Sequence, residues 1–280
     1  MRKKTTSFLL SIFGLICISA VFHLTTGLGV FSDILGTVAF ILASASYICL
    51  RSKLNFGYVL MVTAVPLSLL KALIDLQVML QSIAIKRVDA FFEMTELLVV
   101  IFAGAFCTSV GYFLAPKEVD FSKTNALKFH DLLILLVMMG CWLAASKTEF
   151  SFLTDGNSLL LIVGFITLSF AGGSLKNQKP SISLCNGSIA AMLFGIIIGA
   201  VFYFDSQDDP TVLGPIIAMS ILTSAYGCVL YYFSFLYASL EVATEEIDFT
   251  TKNWHLIEAF GFMLFLIYGP PTIWENMGLG

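Results

Sequence analysis

Charge is what this sequence has least of. Only 12% of its 280 residues are Asp, Glu, Lys or Arg, while 58% are hydrophobic. A soluble domain cannot cover that much apolar surface, and a mean hydropathy of +0.91 agrees, so the chain reads as an integral membrane protein. The strict apolar–polar alternation of a membrane β-barrel is absent, so the spans are expected to be helices, which satisfy every backbone group internally. No basic stripe or aromatic–basic interleaving points to nucleic acid, and a net charge of −4 favours no partner. CxxC pairs are absent too. Cys17, Cys49, Cys107, Cys141, Cys185 and Cys228 all fall in or beside apolar runs. They read as small buried hydrophobes, not metal ligands or disulfide halves. No nucleophile–base set, phosphate loop or metal cluster appears, and the three histidines make no ligand spacing. Neither an enzyme nor a cofactor is expected.

What the sequence has in abundance is long apolar runs. Nine are of spanning length, at about 7–23, 30–50, 56–76, 95–115, 130–146, 157–174, 186–204, 211–236 and 256–271. The first follows a basic head, MRKKTTS, as a signal peptide would, but ISAVFH makes a poor cleavage site. It is read as a retained span. Connections are short and leave no room for a soluble domain. With the N-terminus inside, cytoplasmic segments hold Arg2, Lys3, Lys4, Arg51, Lys53, Lys117, Lys123, Lys128, Lys176, Lys179 and Lys252; the outer ones hold only Lys86, Arg87 and Lys147. That asymmetry predicts a cytoplasmic N-terminus.

The chain also repeats itself. EVDFSKTN (118–125) matches EIDFTTKN (246–253) at an offset of 128, and the same offset sets Gly36 against Gly164. A slightly shorter offset sets Thr108-Ser109 against Thr223-Ser224. The fold expected is therefore all-α, with about nine transmembrane helices: two parallel four-helix repeats and an extra C-terminal helix. The divisions are 1–116, a linker at 117–129, a second unit at 130–240, and a linker with the ninth span at 241–280.

One stretch carries more than apolarity. DDPTVLGPIIAMSILTSAYGCVL supplies Asp208, Asp209, Pro210, Gly214, Pro215, Ala218, Leu222, Thr223, Ser224, Tyr226 and Gly227. This resembles the last membrane segment of flagellar stator subunits of the MotA/PomA type, within the MotA/TolQ/ExbB proton-channel family. Upstream, FLTDGNSLLLIVGFI resembles the family's loop and second span, and AAMLFGIIIGAVFYF is a looser match through Gly195 and Gly199. The resemblance covers about 130–240. It implies an inner-membrane channel subunit for H+ or Na+, a homo-oligomer surrounding a single-span partner helix that carries an acidic residue. It further implies that Thr223, Ser224, Tyr226 and Gly227 belong to the ion pathway, and that Asp208, Asp209, Pro210 and Pro215 form its outer entrance. Hydroxyl oxygens can replace part of an ion's hydration, and outer carboxylates concentrate cations. The first unit is degenerate. The family's large cytoplasmic domain is also missing: only LKNQKPSIS, at 175–183, stands in its place. Ile196 sits near the family's pore threonine. Pro66 in the first unit falls at a place comparable to the family's proline.

The same residues have plainer readings. Hydroxyls in membrane helices often bond the carbonyl one turn back. An acidic pair before proline also suits a helix start. Thr108 and Ser109 are weaker first-unit candidates. So are Lys71 and Asp75, an opposite-charge pair one turn apart that can neutralise itself or let Lys71 snorkel. Glu258 follows Trp254 into the ninth span, as the acidic residue of a stator partner helix does, which makes it a candidate proton carrier. Membrane lipid is a further expected partner, and two other functions compete with the channel: a non-conducting scaffold derived from the stator fold, and a two-repeat secondary transporter.

Overall fold

The structure is a computed structural model that describes residues 29–86, 90–116, 125–145, 155–205, 210–241 and 248–276. The apolar run at 7–23 lies outside them, as do Asp208 and Asp209. Among the described residues every element is a helix. There are eight: α1 (Gly29–Ser52), α2 (Phe56–Lys86), α3 (Ala90–Leu114), α4 (Phe129–Ala145), α5 (Gly156–Leu175), α6 (Pro180–Asp205), α7 (Pro210–Glu241) and α8 (Phe249–Asn276). Each coincides with one of the other eight apolar runs. Five contain stretches long and apolar enough to cross a membrane, in α1, α2, α5, α6 and α7. The helices overrun the apolar segments because backbone hydrogen bonding continues wherever nothing breaks it. Thus α2 reaches Lys86, well past the run ending near residue 76.

Short polar side chains set several helix starts by accepting free N–H groups. Asn55 Oδ1 accepts from the Tyr58 N–H, and Asp248 Oδ1 from the Thr251 N–H. Asp155 caps α5 through the Ser158 N–H at 2.7 Å. The hairpins α1–α2 and α5–α6 both close on a non-glycine residue in the left-handed region, Lys53 (φ 60°) and Asn177 (φ 53°). Asn adopts that conformation readily, whereas Lys does so at a cost. The segment 175–183 is therefore mostly helix, and only 176–179 form a tight turn, with the Gly173 carbonyl accepting from the Lys176 and Gln178 N–H groups.

α2 is the central helix. It packs against α1, α3, α7 and α8, and 89% of its apolar window is buried, against 17% for that of α5. Close approach explains the tightest pairings. A Cβ on Gly57 would lie 2.3 Å from the Ala115 backbone nitrogen, so α2 and α3 touch backbone to backbone. A Cβ on Gly195 would lie 2.6 Å from Thr223 Cγ2, and one on Gly227 would run into Met192. In lipid such contacts replace the hydrophobic effect as the force joining helices, because burying a leucine gains nothing over leaving it among acyl chains. The outward faces are accordingly apolar: Phe113, Phe106, Leu160 and Leu168 are exposed. Cys141 departs from the expectation of buried cysteines. It is exposed on α4, while Cys107, Cys185 and Cys228 are buried and Cys49 is half-buried. An outward thiol is tolerated there because its neighbours Val137 and Leu133 are exposed apolar groups as well.

Candidate functional site

The long helix α7 positions the motif residues. Pro210 is its first residue, and Pro215 lies in its second turn. Thr223 and Ser224 follow near its middle, both buried within the chain. The Thr223 hydroxyl donates to the Met219 carbonyl at 2.8 Å, and the Ser224 hydroxyl to the Ser220 carbonyl at 2.8 Å. Both make the bond one turn back that hydroxyls make when no water is present. Their oxygens keep lone pairs for a further donor or cation. Ser220 reaches across instead, donating to the Gly195 carbonyl of α6 at 3.2 Å.

The two stretches of the resemblance meet in space. Tyr226 points back toward the start of its helix, where its hydroxyl accepts from the Asp155 N–H at 3.2 Å. Ser158, on the first turn of α5, lies with its hydroxyl 2.6 Å from Asp155 Oδ2 and 3.2 Å from the Met219 carbonyl. Asp155, the acidic residue of FLTDGNSLL, therefore caps α5 and helps join it to α7. Burial opposes ionisation of this carboxyl, but hydrogen bonds from the Ser158 hydroxyl and from the Ser158 and Asn157 N–H groups outweigh it and hold the group below its ordinary value. Gly227 gives Met192 its room, as Gly195 does for Thr223. Ile196, one residue on from Gly195, is buried.

The remaining candidates lie apart. Thr108 and Ser109 on α3 also donate one turn back, to Gly104 and Ala105, with Ser109 exposed. Lys71 and Asp75 form an ion pair inside α2. Lys71 is only 2% exposed, enclosed by protein rather than reaching for the interface, and α2 continues beyond the pair to Lys86. Glu258 faces outward from α8, 70% exposed, with His255 Nδ1 at 3.2 Å. Among the described residues no His, Cys, Asp and Glu group could hold a metal ion.

Two polar clusters were not anticipated. In the first, Asn253 on α8 is buried, and its Nδ2 donates to the carbonyls of Met61 at 3.1 Å and Val62 at 3.4 Å. Pro66 explains the need: it has no N–H for the carbonyl four residues earlier, which is Val62. The Tyr231 hydroxyl lies 2.9 Å from Asn253 Oδ1 and 3.0 Å from the Phe249 carbonyl. A proline in a long apolar run was the available signal; its partner 192 positions from Met61 was not visible. In the second, the buried Asp131 accepts from Arg51 Nε at 2.7 Å, the Tyr47 hydroxyl at 2.7 Å and the Lys128 N–H at 2.8 Å. Arg51 Nη2 lies 2.8 Å from His130 Nε2.

Fold and sites together define a polytopic helical protein suited to a membrane. No family model matches the chain, and no curated protein or solved structure is significantly similar to it.

Proposed function

We propose that the chain is an inner-membrane ion-channel subunit for H+ or Na+, of the MotA/TolQ/ExbB type, with its N-terminus in the cytoplasm. In this reading it has nine spans, as two parallel four-helix units and a ninth helix. It assembles as a homo-oligomer with a single-span partner helix bearing an acidic residue. One observation carries the reading. Asp155, Ser158, Gly195, Thr223 and Tyr226 come from separate parts of the resemblance, and contacts link them across α5, α6 and α7: Asp155 meets Tyr226, Ser158 and Thr223 share the Met219 carbonyl, and Thr223 is seated on Gly195. Buried hydroxyl oxygens of Ser220, Thr223 and Ser224 along α7 would supply the coordination an ion loses on leaving water. Asp208 and Asp209 would gather cations at the outer end, and Glu258, facing outward on α8, would be the second protonatable group. The test is H+ and Na+ flux in proteoliposomes, with the partner co-expressed. Thr223→Ala and Ser224→Ala should each cut flux about ten-fold, the worth of one lost oxygen contact. Unchanged flux in both variants would sink the channel.

A non-conducting scaffold is the second reading, favoured by a different observation. Thr223 is closed against Gly195, and the protons of Thr223 and Ser224 are committed to their own helix. If the native protein assembles with a partner yet passes neither ion, the scaffold stands.

A further inference from the structure

We propose that the α1–α4 seam binds the headgroup of an anionic glycerophospholipid. The seam runs along two helices that meet twice. Deeper in, Phe40 and Trp142 stack at 4.5 Å between centroids. At the end, Arg51 and Tyr47 of α1 converge on Asp131 of α4. Just before α4, the Asn125 N–H donates to the Ser52 carbonyl at the end of α1, at 2.7 Å. Exposed Arg51, Lys53 and Lys128 are thereby gathered at one end of the seam, with the His130 imidazole beside Arg51. The anion among them, Asp131, is 2% exposed and is spent on Arg51, Tyr47 and the Lys128 N–H.

Asp131 makes this more than a scatter of surface cations. It grips Arg51 through Nε, which fixes the plane of the guanidinium. His130 takes one hydrogen on Nη2. The remaining Nη hydrogens are then available to a planar or tetrahedral oxyanion, with Lys53 and Lys128 alongside. Leu50 precedes Arg51, Phe129 follows Lys128, Leu133 comes one turn further along α4, and all three are at least half exposed. A soluble anion would have no use for them. A molecule whose phosphate meets the cations and whose acyl chains lie along Leu50, Phe129 and Leu133 matches both parts. The charge asymmetry puts this end at the cytoplasmic leaflet, but the site needs only that the bundle lies in a membrane.

The experiment is native mass spectrometry and thermal unfolding of the full chain in nanodiscs of phosphatidylcholine with or without phosphatidylglycerol. The expected result is retained phosphatidylglycerol and a raised Tm in the mixed discs. Lys53→Gln and Lys128→Gln should each lower that lipid's preference about five-fold, the worth of one interfacial cation, with Tm in pure phosphatidylcholine unchanged. Arg51→Lys should weaken binding while keeping the charge. Lys176→Gln, which removes an exposed cation from the α5–α6 turn, should leave it intact. An equal loss in Lys176→Gln would mean a diffuse surface field and would overturn the site. A Tm rise of the same size from inorganic phosphate alone would overturn the lipid as its ligand.

Discussion

Gly195 and Gly227 both receive a side chain from the facing helix, but the side chains differ in stiffness. Gly195 faces Thr223, whose β-carbon would lie 2.7 Å from an added methyl. A β-branched residue in a helix has almost no freedom to turn aside. Gly227 faces Cγ and Sδ of Met192, 1.9 and 2.7 Å from an added methyl, with the Ser188 carbonyl at 3.2 Å, and the unbranched Met192 side chain can take another rotamer. Gly195→Ala should therefore cost about 2 kcal/mol or more, by overpacking, and Gly227→Ala less, because Met192 can turn aside where Thr223 cannot. Denaturation in detergent, monitored by circular dichroism, would measure the order, and the reverse order would contradict the packing described. At this scale the sequence was informative about identity and silent about contact. Thr223, Ser224, Tyr226 and Gly227 stood out by motif. That Thr223 is seated on Gly195, and that the Tyr226 hydroxyl meets the Asp155 backbone, depends on how α5, α6 and α7 dock, and no local pattern encodes that.

At the scale of the helix, Pro66 and Asp155 mark where backbone groups need outside help. Asn253→Ala should destabilise by about 2 kcal/mol, because it strips partners from two carbonyls and a tyrosine hydroxyl in a water-free interior. In a Pro66→Ala background residue 66 supplies an N–H to Val62, so the same change should cost about 1 kcal/mol less. A double-mutant cycle reads this directly, and strict additivity would mean that the proline and the asparagine are unrelated. For α5, Asp155→Ala should remove about 1 kcal/mol of capping. The sign with pH follows from the carboxyl being held below its ordinary value in the folded chain. The advantage of native protein over Asp155→Asn should be complete at neutral pH and close as pH falls below about 4. Helix positions were legible because a run of apolar residues can only be a span or a core. The helix ends were less so: α2 and α7 extend past their apolar segments, since hydrogen bonding rather than hydropathy decides where a helix stops.

For the whole molecule, the turns that join α1 to α2 and α5 to α6 should face the same side of the membrane, with the start of α5 opposite. Single cysteines at Gln178 and Asn125 should react with an impermeant maleimide from the cytoplasmic face, and one at Asn157 from the outer face. All three positions are exposed. Cys141 should first be replaced, while the buried Cys107, Cys185 and Cys228 can stay. Labelling of positions 178 and 157 from one side would undo the proposed topology. Composition alone indicated a membrane bundle, since so few charges leave no other class. The arrangement was not legible, because lipid-facing and protein-facing helices are about equally apolar. Nothing in the hydropathy of α2 and α5 foretells that one is enclosed and the other exposed.

The enclosure of α2 also has a dimension in time. Ribosomes deliver α2 long before α7 and α8, two of the four helices that cover it. Asn253 follows Met61 by 192 residues, which at common elongation rates is roughly 10–40 s of synthesis. Throughout that interval the Val62 carbonyl freed by Pro66 must wait without Asn253, its partner from α8. The nascent chain thus passes through a stage at which α1 and α3 are in place but the α7 and α8 faces of its most enclosed helix are still open. Quality control should be strictest there: chains halted before α8 are expected to be degraded, and pulse-chase of a chain ending at residue 241 would show it.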